Sequence, residues 1–350
     1  MSALPSNLTQ APGRSAAARQ GGRRGRARND LCAALDLGTN NCRMLIAHPA
    51  GRGFRVVDAF SRATRLGEGL SSSGVLSDAA MERTIQALSR CTEKMRRAGV
   101  SRMRAVATEA CRRAANGSEF LERTAMATGL DLEIISPTEE ARLALAGCAP
   151  LLDHRLPHAL VFDIGGGSTE LMWVRRNPGA PPSMTGVLSL PLGVVTLGEL
   201  FGHLLQDLDG YDEVVDRIAQ AIQPFDRQYG ITAQVMRGKA QMLGTSGTVT
   251  TLGGILLGLP RYERRAVDGL FMNFDDVEQV SRALAGMSHE DRVAHPCIGR
   301  DRADLVVAGC AILAAICKVW PVGRLRVADR GLREGMLFEM MRARPLLAAE

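Results

Sequence analysis

The sequence predicts an α/β protein built from two similar halves that face each other across a cleft. Three observations carry this prediction. Apolar, strand-like runs alternate with amphipathic helical segments along the chain. A thirteen-residue pattern in the first half recurs 127 residues later. No low-complexity linker separates the two copies, so the halves should pack closely. At 350 residues the chain has room for two domains. Its 46% apolar and 23% charged residues are ordinary globular usage and exclude wholesale disorder.

Taken in order, residues 31–37 (LCAALDL) read as a buried strand. A Gly-Thr-Asn-Asn turn leads into a strand at 42–48, and a third strand covers 54–61. Ser77 is placed to cap a long amphipathic helix, and Gly99 to end it. A strand at 103–107, short helices at 109–115 and 118–128, and a strand at 131–135 follow. Pro137 suits the first turn of a helix over 138–148. The second half repeats the style, with a buried strand at 158–164, a triple-glycine turn and a strand at 169–174. Pro178 to Pro182 reads as a surface hairpin loop before a strand at 185–190. Helices at 194–205 and 211–228 precede a short strand at 241–243, a further glycine turn and a helix from 247. Helices at 274–286 and 301–318, a strand at 324–328 and a helix from 332 close the chain. This divides the sequence into a tail (1–30), a first domain (31–135), a second domain (136–330) and a C-terminal helix (331–350) returning to the first.

The net charge of +6 is unevenly placed. Residues 1–31 hold six arginines and one aspartate, whereas the remaining 319 residues carry 37 basic and 36 acidic side chains. The basic balance therefore belongs to an arginine-rich tail, expected to be disordered. Arginine outnumbers lysine 40 to 3, which reads as codon bias. Aromatic residues are only 4%, so a base-stacking surface for nucleic acid is not expected. The eight cysteines form no C-x-x-C pair and fit reduced, buried thiols. The longest apolar run, Leu305 to Cys317, is too short to span a bilayer and reads as a core helix. Residues 1–31 lack a signal-peptide core. A cytoplasmic protein with no membrane partner is expected.

The repeat carries the chemistry. Leu35-Asp36-Leu37-Gly38 corresponds to Phe162-Asp163-Ile164-Gly165. Four small or polar residues follow in each copy, then Arg43 or Glu170, then an apolar strand. An aspartate ending a buried strand aims its carboxylate into a cleft. The following turn, Gly38-Thr39-Asn40-Asn41 or Gly165-Gly166-Gly167-Ser168, offers backbone N–H groups to an anion at close range. Two such hairpins face to face form a phosphate clamp, with Asp36 and Asp163 available to a divalent cation. A third turn, with Gly244, Ser246, Gly247 and Thr248, opens onto a helix whose N-terminus adds positive potential. Each glycine turn of the repeat leads into a strand, which excludes the dinucleotide-binding fingerprint. No P-loop motif is present.

These hairpins resemble the phosphate loops of the actin/Hsp70/sugar-kinase superfamily. Within it the chain is similar to the exopolyphosphatase/guanosine pentaphosphate phosphohydrolase (Ppx/GppA) family. The segments ALDLGTNNCRMLIA, ATEACRRAANGSEF, IISPTEEARLALAG, LVFDIGGGSTELMWV, LPLGVVTLGEL, MLGTSGTVTTLGGI and VADRGLREGML occur in that family's order over about residues 31–345. The resemblance implies two ribonuclease H-like domains flanking the cleft and hydrolysis of a terminal phosphoanhydride. It places the water-activating base at Glu140, with Glu139 as the alternative, since adjacent positions on a helix do not share a face. Asp163 and Glu170 match carboxylates that help hold Mg²⁺. Arg43 and Arg112 match phosphate-binding arginines, with Asn116 close to the second. The implied substrates are inorganic polyphosphate or pppGpp; a nucleotide-gated binding protein is the alternative from another class. Longer members continue into a helical, HD-like extension, for which a homodimer groove is the expected substitute here.

Overall fold

The computed structural model describes residues 30–342 apart from Arg52, so the expected disordered tail lies outside the described residues. Five strands build the first sheet: β1 (Cys32–Leu37), β2 (Asn41–Ala50), β3 (Gly53–Ala63), β4 (Arg102–Ala107) and β5 (Glu133–Ile134). Their order is β3-β2-β1-β4-β5, with β1, β2 and β3 antiparallel and β4 and β5 added in parallel. The second sheet holds β6 (His158–Ile164), β7 (Thr169–Arg175), β8 (Ser183–Leu190), β9 (Ala240–Thr245), β10 (Phe271–Asn273) and β11 (Arg324–Ala328). It runs β10-β11-β9-β6-β7-β8 and again combines an antiparallel β6–β7–β8 meander with parallel strands, β9 and β11, on the other side of β6, closed by the antiparallel edge strand β10. The thirteen-residue repeat is therefore the central hairpin of each sheet. The two mixed sheets with their helices are the α/β architecture the resemblance implied.

Helix α1 (Asp78–Ala98) begins where Ser77 accepts a hydrogen bond from the Ala80 N–H at 3.2 Å, and ends at Gly99 with φ +70°. Met81, Ile85, Leu88, Cys91 and Met95 recur at helical spacing and bury one face against the first sheet. Short helices α2 (Glu109–Arg113) and α3 (Gly117–Thr128) follow. Helix α4 (Pro137–Cys148) is capped by Ser136, which accepts from the Glu139 N–H at 3.2 Å, and Pro137 fills its first turn. On the second half lie α5 (Val194–Phe201), α6 (Leu208–Tyr229), α7 (Gly247–Leu256), α8 (Phe274–Ala285) and α9 (Val306–Val319); the last is the apolar run, buried along most of its length.

Helix α4 serves both halves. Its Leu143 packs with Cys32, Ala34 and Val106 of the first sheet, while Ala141, Ala144, Leu145 and Cys148 pack with Ala159, Val161 and Met172 of the second. The C-terminal helix α10 (Leu332–Arg342) lies on the first sheet through Leu332, Met336 and Leu337. α4 and α10 touch through glycines. A Cβ on Gly335 would fall 2.0 Å from the Leu143 carbonyl oxygen, and one on Gly147 2.0 Å from that of Gly331.

Several details differ from the sequence reading. The helix expected over 301–318 is broken into Arg300–Ala303 and Val306–Val319, which lets Arg302 donate to Thr251 Oγ1 at 2.7 Å while Leu305 and Val306 line the cleft. The three-residue strand β10 and the short helix Ile231–Met236 were not expected, because elements this short carry no readable periodicity.

Candidate active site

The two repeat hairpins face one another. A Cβ placed on Gly167 would lie 2.4 Å from Thr39 Oγ1 and 2.9 Å from Glu109 Cγ, and one on Gly166 would lie 3.1 Å from the Asn40 nitrogen. Only glycine lets the loops approach this closely. Between them, walled by the Ser246–Thr248 turn, is a cleft of about 140 Å³. Asp36, Gly38, Thr39, Asn40, Asn41, Arg43, Glu140, Asp163, Gly165, Gly166, Gly167, Ser168, Ser246, Gly247 and Thr248 all line it.

Register explains the charges. In an antiparallel pair, residues directly opposite share a face. Asp36 stands opposite Arg43 in the first hairpin, and Asp163 opposite Glu170 in the second. The first hairpin thus presents a carboxylate beside a guanidinium, whereas the second presents two like charges. Glu170 is only 1% exposed and accepts a hydrogen bond from Ser189 Oγ at 2.9 Å. Burial, reinforced by Asp163, raises its pKa to about 7. Burial likewise raises Asp163 to about 7, with Glu140 and Asp36 adding to the rise and Arg43 and Arg333 opposing it. Asp36 is also raised, chiefly by burial.

Glu140 sits in the first turn of α4 and enters the cleft. Arg112 holds it, donating from Nη1 to Glu140 Oε2 at 2.8 Å. The same guanidinium donates to the Ile135 carbonyl at 2.8 Å and to Glu109 Oε2 at 2.9 Å, which fixes its plane. Burial first, then Glu170, raises Glu140 to about 8; Arg112 opposes the rise. A carboxylate with this basicity is matched to taking a proton from water near neutral pH.

Four expected site residues stand elsewhere. Glu139 points away from the cleft into an ion network, accepting from Arg104 at 3.0 Å and from Arg142 at 2.7 Å. Helix geometry separates it from Glu140. Arg112 supports Glu140 and Glu109 and does not line the cleft wall. Glu170 lies just behind the lining, across from Asp163. Gly244 is buried in β9, where a Cβ would fall 2.4 Å from the Phe162 ring; its smallness serves packing. Glu139→Gln is expected to leave the catalytic rate within about threefold of wild type, because partly exposed ion pairs contribute only about 0–1 kcal/mol; steady-state phosphate release measures it.

The structure also adds residues. Thr108, Glu109, Thr251 and Arg302 line the cleft, and Arg333 acts on Asp36, Arg43 and Asp163 from α10. Glu109 and Arg333 lie inside motif segments whose other members drew attention; Arg302 lies outside them and had no local signal. Ser246 holds φ +148°, a backbone region that ordinarily belongs to glycine. Its Oγ accepts from the Val249 N–H at 3.2 Å and caps α7.

The donor set suits a hard cation. Among the described residues no three His, Cys, Asp or Glu side chains form a preformed metal cage. Mg²⁺, however, is ordinarily held by one or two carboxylates together with phosphate oxygens and water. The opposed pair Asp163 and Glu170, each disfavoured as an anion by burial, is a site that gains from such a charge.

The profile of the Ppx/GppA phosphatase family matches residues 45–344. A curated relative from Photobacterium profundum, a guanosine-5'-triphosphate,3'-diphosphate pyrophosphatase, is 30% identical over 326 residues, covering 89% of this chain and 59% of that protein. The chain thus spans about three fifths of that relative's length. An exopolyphosphatase-like protein of known structure superposes with a TM-score of 0.79 at 29% identity, covering 88% of this chain and 97% of that one. An Aquifex aeolicus Ppx/GppA family member gives 0.71 at 29%, covering 89% and 97%. An exopolyphosphatase from Cytophaga hutchinsonii gives 0.79 at 21% identity over 89% and 98%, a likeness of fold.

Proposed function

Because the chain belongs to the Ppx/GppA phosphatase family, we propose that it is an exopolyphosphatase, hydrolysing the terminal phosphoanhydride of inorganic polyphosphate to release orthophosphate. One observation carries the reading: two glycine hairpins and Glu140, oriented by Arg112, converge on a single cleft. Phosphoryl transfer needs positioning and a home for the charge that spreads over the phosphoryl oxygens. The N–H groups of the Gly38–Asn41 and Gly165–Ser168 turns cradle that group, and Arg43 and Arg302 offset its charge. Glu140 orients a water and accepts its proton at Oε. Asp163 and Glu170, with Asp36 nearby, would hold Mg²⁺, which supplies neutralisation of the phosphate oxygens when bound.

Polyphosphate is favoured over a nucleotide because no Phe, Tyr or Trp is among the described residues lining the cleft, so a base has nothing to stack on. The second reading, hydrolysis of pppGpp, rests on the name of the Photobacterium relative. Purified protein with Mg²⁺ should release orthophosphate from polyphosphate with a higher kcat/KM than from pppGpp. The reverse order would exchange the two readings, and turnover of neither would overturn both.

The raised carboxyls also predict how metal-free protein responds to pH. Glu140, Asp163 and Glu170 keep protons in the fold that the unfolded chain releases near pH 4. Their stabilisation is complete below about pH 4 and is lost as pH rises through about 7–8. The thermal midpoint of chelator-treated protein should therefore fall between pH 5 and pH 8. Glu170→Gln should flatten the slope, and Mg²⁺ should restore the midpoint at pH 8. A midpoint that rises with pH over this range would contradict the assignment.

A further inference from the structure

Among the carboxylates lining the cleft, Asp36, Glu140 and Asp163 have roles in the proposed hydrolysis, whereas Glu109 has none. Glu109 opens α2, and an acid in a helix's first turn ordinarily answers the N–H groups of its own helix. Here the side chain crosses instead to the opposite half. A Cβ on Gly167 would lie 2.9 Å from Glu109 Cγ and 3.2 Å from its Cβ, so this residue packs against the second glycine turn. The N–H groups of Gly166, Gly167 and Ser168 donate to no acceptor among the described residues. A buried carboxylate therefore stands beside the donors on which a phosphoryl group would rest.

Arg112 lies behind Glu109. Its Nε and Nη2 both donate to one oxygen, Glu109 Oε2, at 3.2 and 2.9 Å. The other oxygen, Oε1, has Arg113 Nε at 3.9 Å as its nearest ion-pair partner among the described residues. A guanidinium edge is matched best by two parallel hydrogen bonds to two oxygens of a carboxylate or phosphate. Glu109 offers that edge a single oxygen and leaves the match incomplete. Meanwhile Arg112 Nη1 is committed to the Ile135 carbonyl and to Glu140, both at 2.8 Å, which anchors the guanidinium whatever Glu109 does. With Glu109 in place, a negative charge opposes every phosphate that enters; with Glu109 aside, an oriented guanidinium edge is free to receive one.

We propose that Glu109 is a built-in competitor of phosphate: it occupies Arg112 while the cleft is empty, yields that guanidinium edge to an entering phosphoryl group, and returns to displace orthophosphate after hydrolysis. This positioning role rests on the phosphoanhydride-hydrolysis reading above. The test measures orthophosphate binding to full-length protein by calorimetry with Mg²⁺ present, and orthophosphate inhibition of polyphosphate turnover. Glu109→Gln keeps the shape and an accepting oxygen for Arg112 but removes the charge. It should bind orthophosphate roughly tenfold more tightly than wild type, a modest part of what a like charge at close range costs. KM for polyphosphate should fall with it. Glu109→Ala, also neutral, should tighten binding as well, whereas Glu109→Asp, which keeps the charge, should stay within about threefold of wild type. A residue that served the fold alone would weaken phosphate binding when replaced, so tightening confined to the neutral variants marks the competitor. Unchanged or weaker orthophosphate binding in both neutral variants, or equal tightening in Glu109→Asp, would overturn the proposal. The binding comparison uses orthophosphate alone, so a wild type that fails to turn over polyphosphate would count against the exopolyphosphatase reading and not against this one.

Discussion

Glu140→Gln is expected to lower kcat for phosphate release by roughly 10²–10⁴-fold, the usual worth of a general base. The amide is nearly isosteric, and its oxygen still accepts from Arg112, so the first turn of α4 and the cleft wall keep their shape. What is lost is the capacity to accept a proton, together with the negative charge that orients the attacking water. On the proposed reading KM should change little, because the two hairpin turns lining the cleft, and not this carboxylate, would cradle the phosphate. Retention of more than about a tenth of wild-type kcat would remove Glu140 from the proton-transfer step. The contrast with Glu139→Gln makes the result diagnostic: the two changes are adjacent and chemically identical, but only one faces the cleft.

The second large effect is on stability. Gly335→Ala would set a methyl carbon 2.0 Å from the Leu143 carbonyl oxygen at the crossing of α10 and α4. The obstacle is backbone, so no side-chain rotation relieves it, and the helices must separate. A loss of about 3 kcal/mol is expected, the upper end for forcing extra volume into a packed interior. It should read as a lower urea midpoint with an unchanged slope. Activity should fall as well, since α4 carries Glu140. Full stability would show that the crossing yields more easily than its geometry implies.

Most of the fold and the centre of the site were legible in the sequence for identifiable reasons. The repeated hairpins announced themselves because an aspartate, a glycine turn and a returning strand are local features, contiguous in sequence. Ser77, Gly99, Ser136 and Pro137 mark helix ends by chemistry that acts within one turn. Local pattern did not show which of Glu139 and Glu140 faces inward, because that depends on where α4 packs. Nor did it show that Gly244 serves Phe162, or that Arg302 and Arg333 converge on the cleft from distant helices. The pairing of Asp36 with Arg43 and of Asp163 with Glu170 lay in plain view, seven residues apart in each copy. It acquires meaning only once the hairpin register sets each pair side by side.

Helix α4 gives the duplicated molecule an unexpected indivisibility. Two copies of one pattern suggest two modules, each able to fold alone. A fragment ending before residue 136 would nevertheless leave Cys32, Ala34 and Val106 uncovered, because Leu143 of α4 and Leu332, Met336 and Leu337 of α10 are their lid. Removing α4 would equally strip Ala159, Val161 and Met172 on the other side. One helix is the keystone of two arches, so the two halves are expected to unfold together in a single thermal transition, and splitting the chain at residue 136 should leave neither half stably folded.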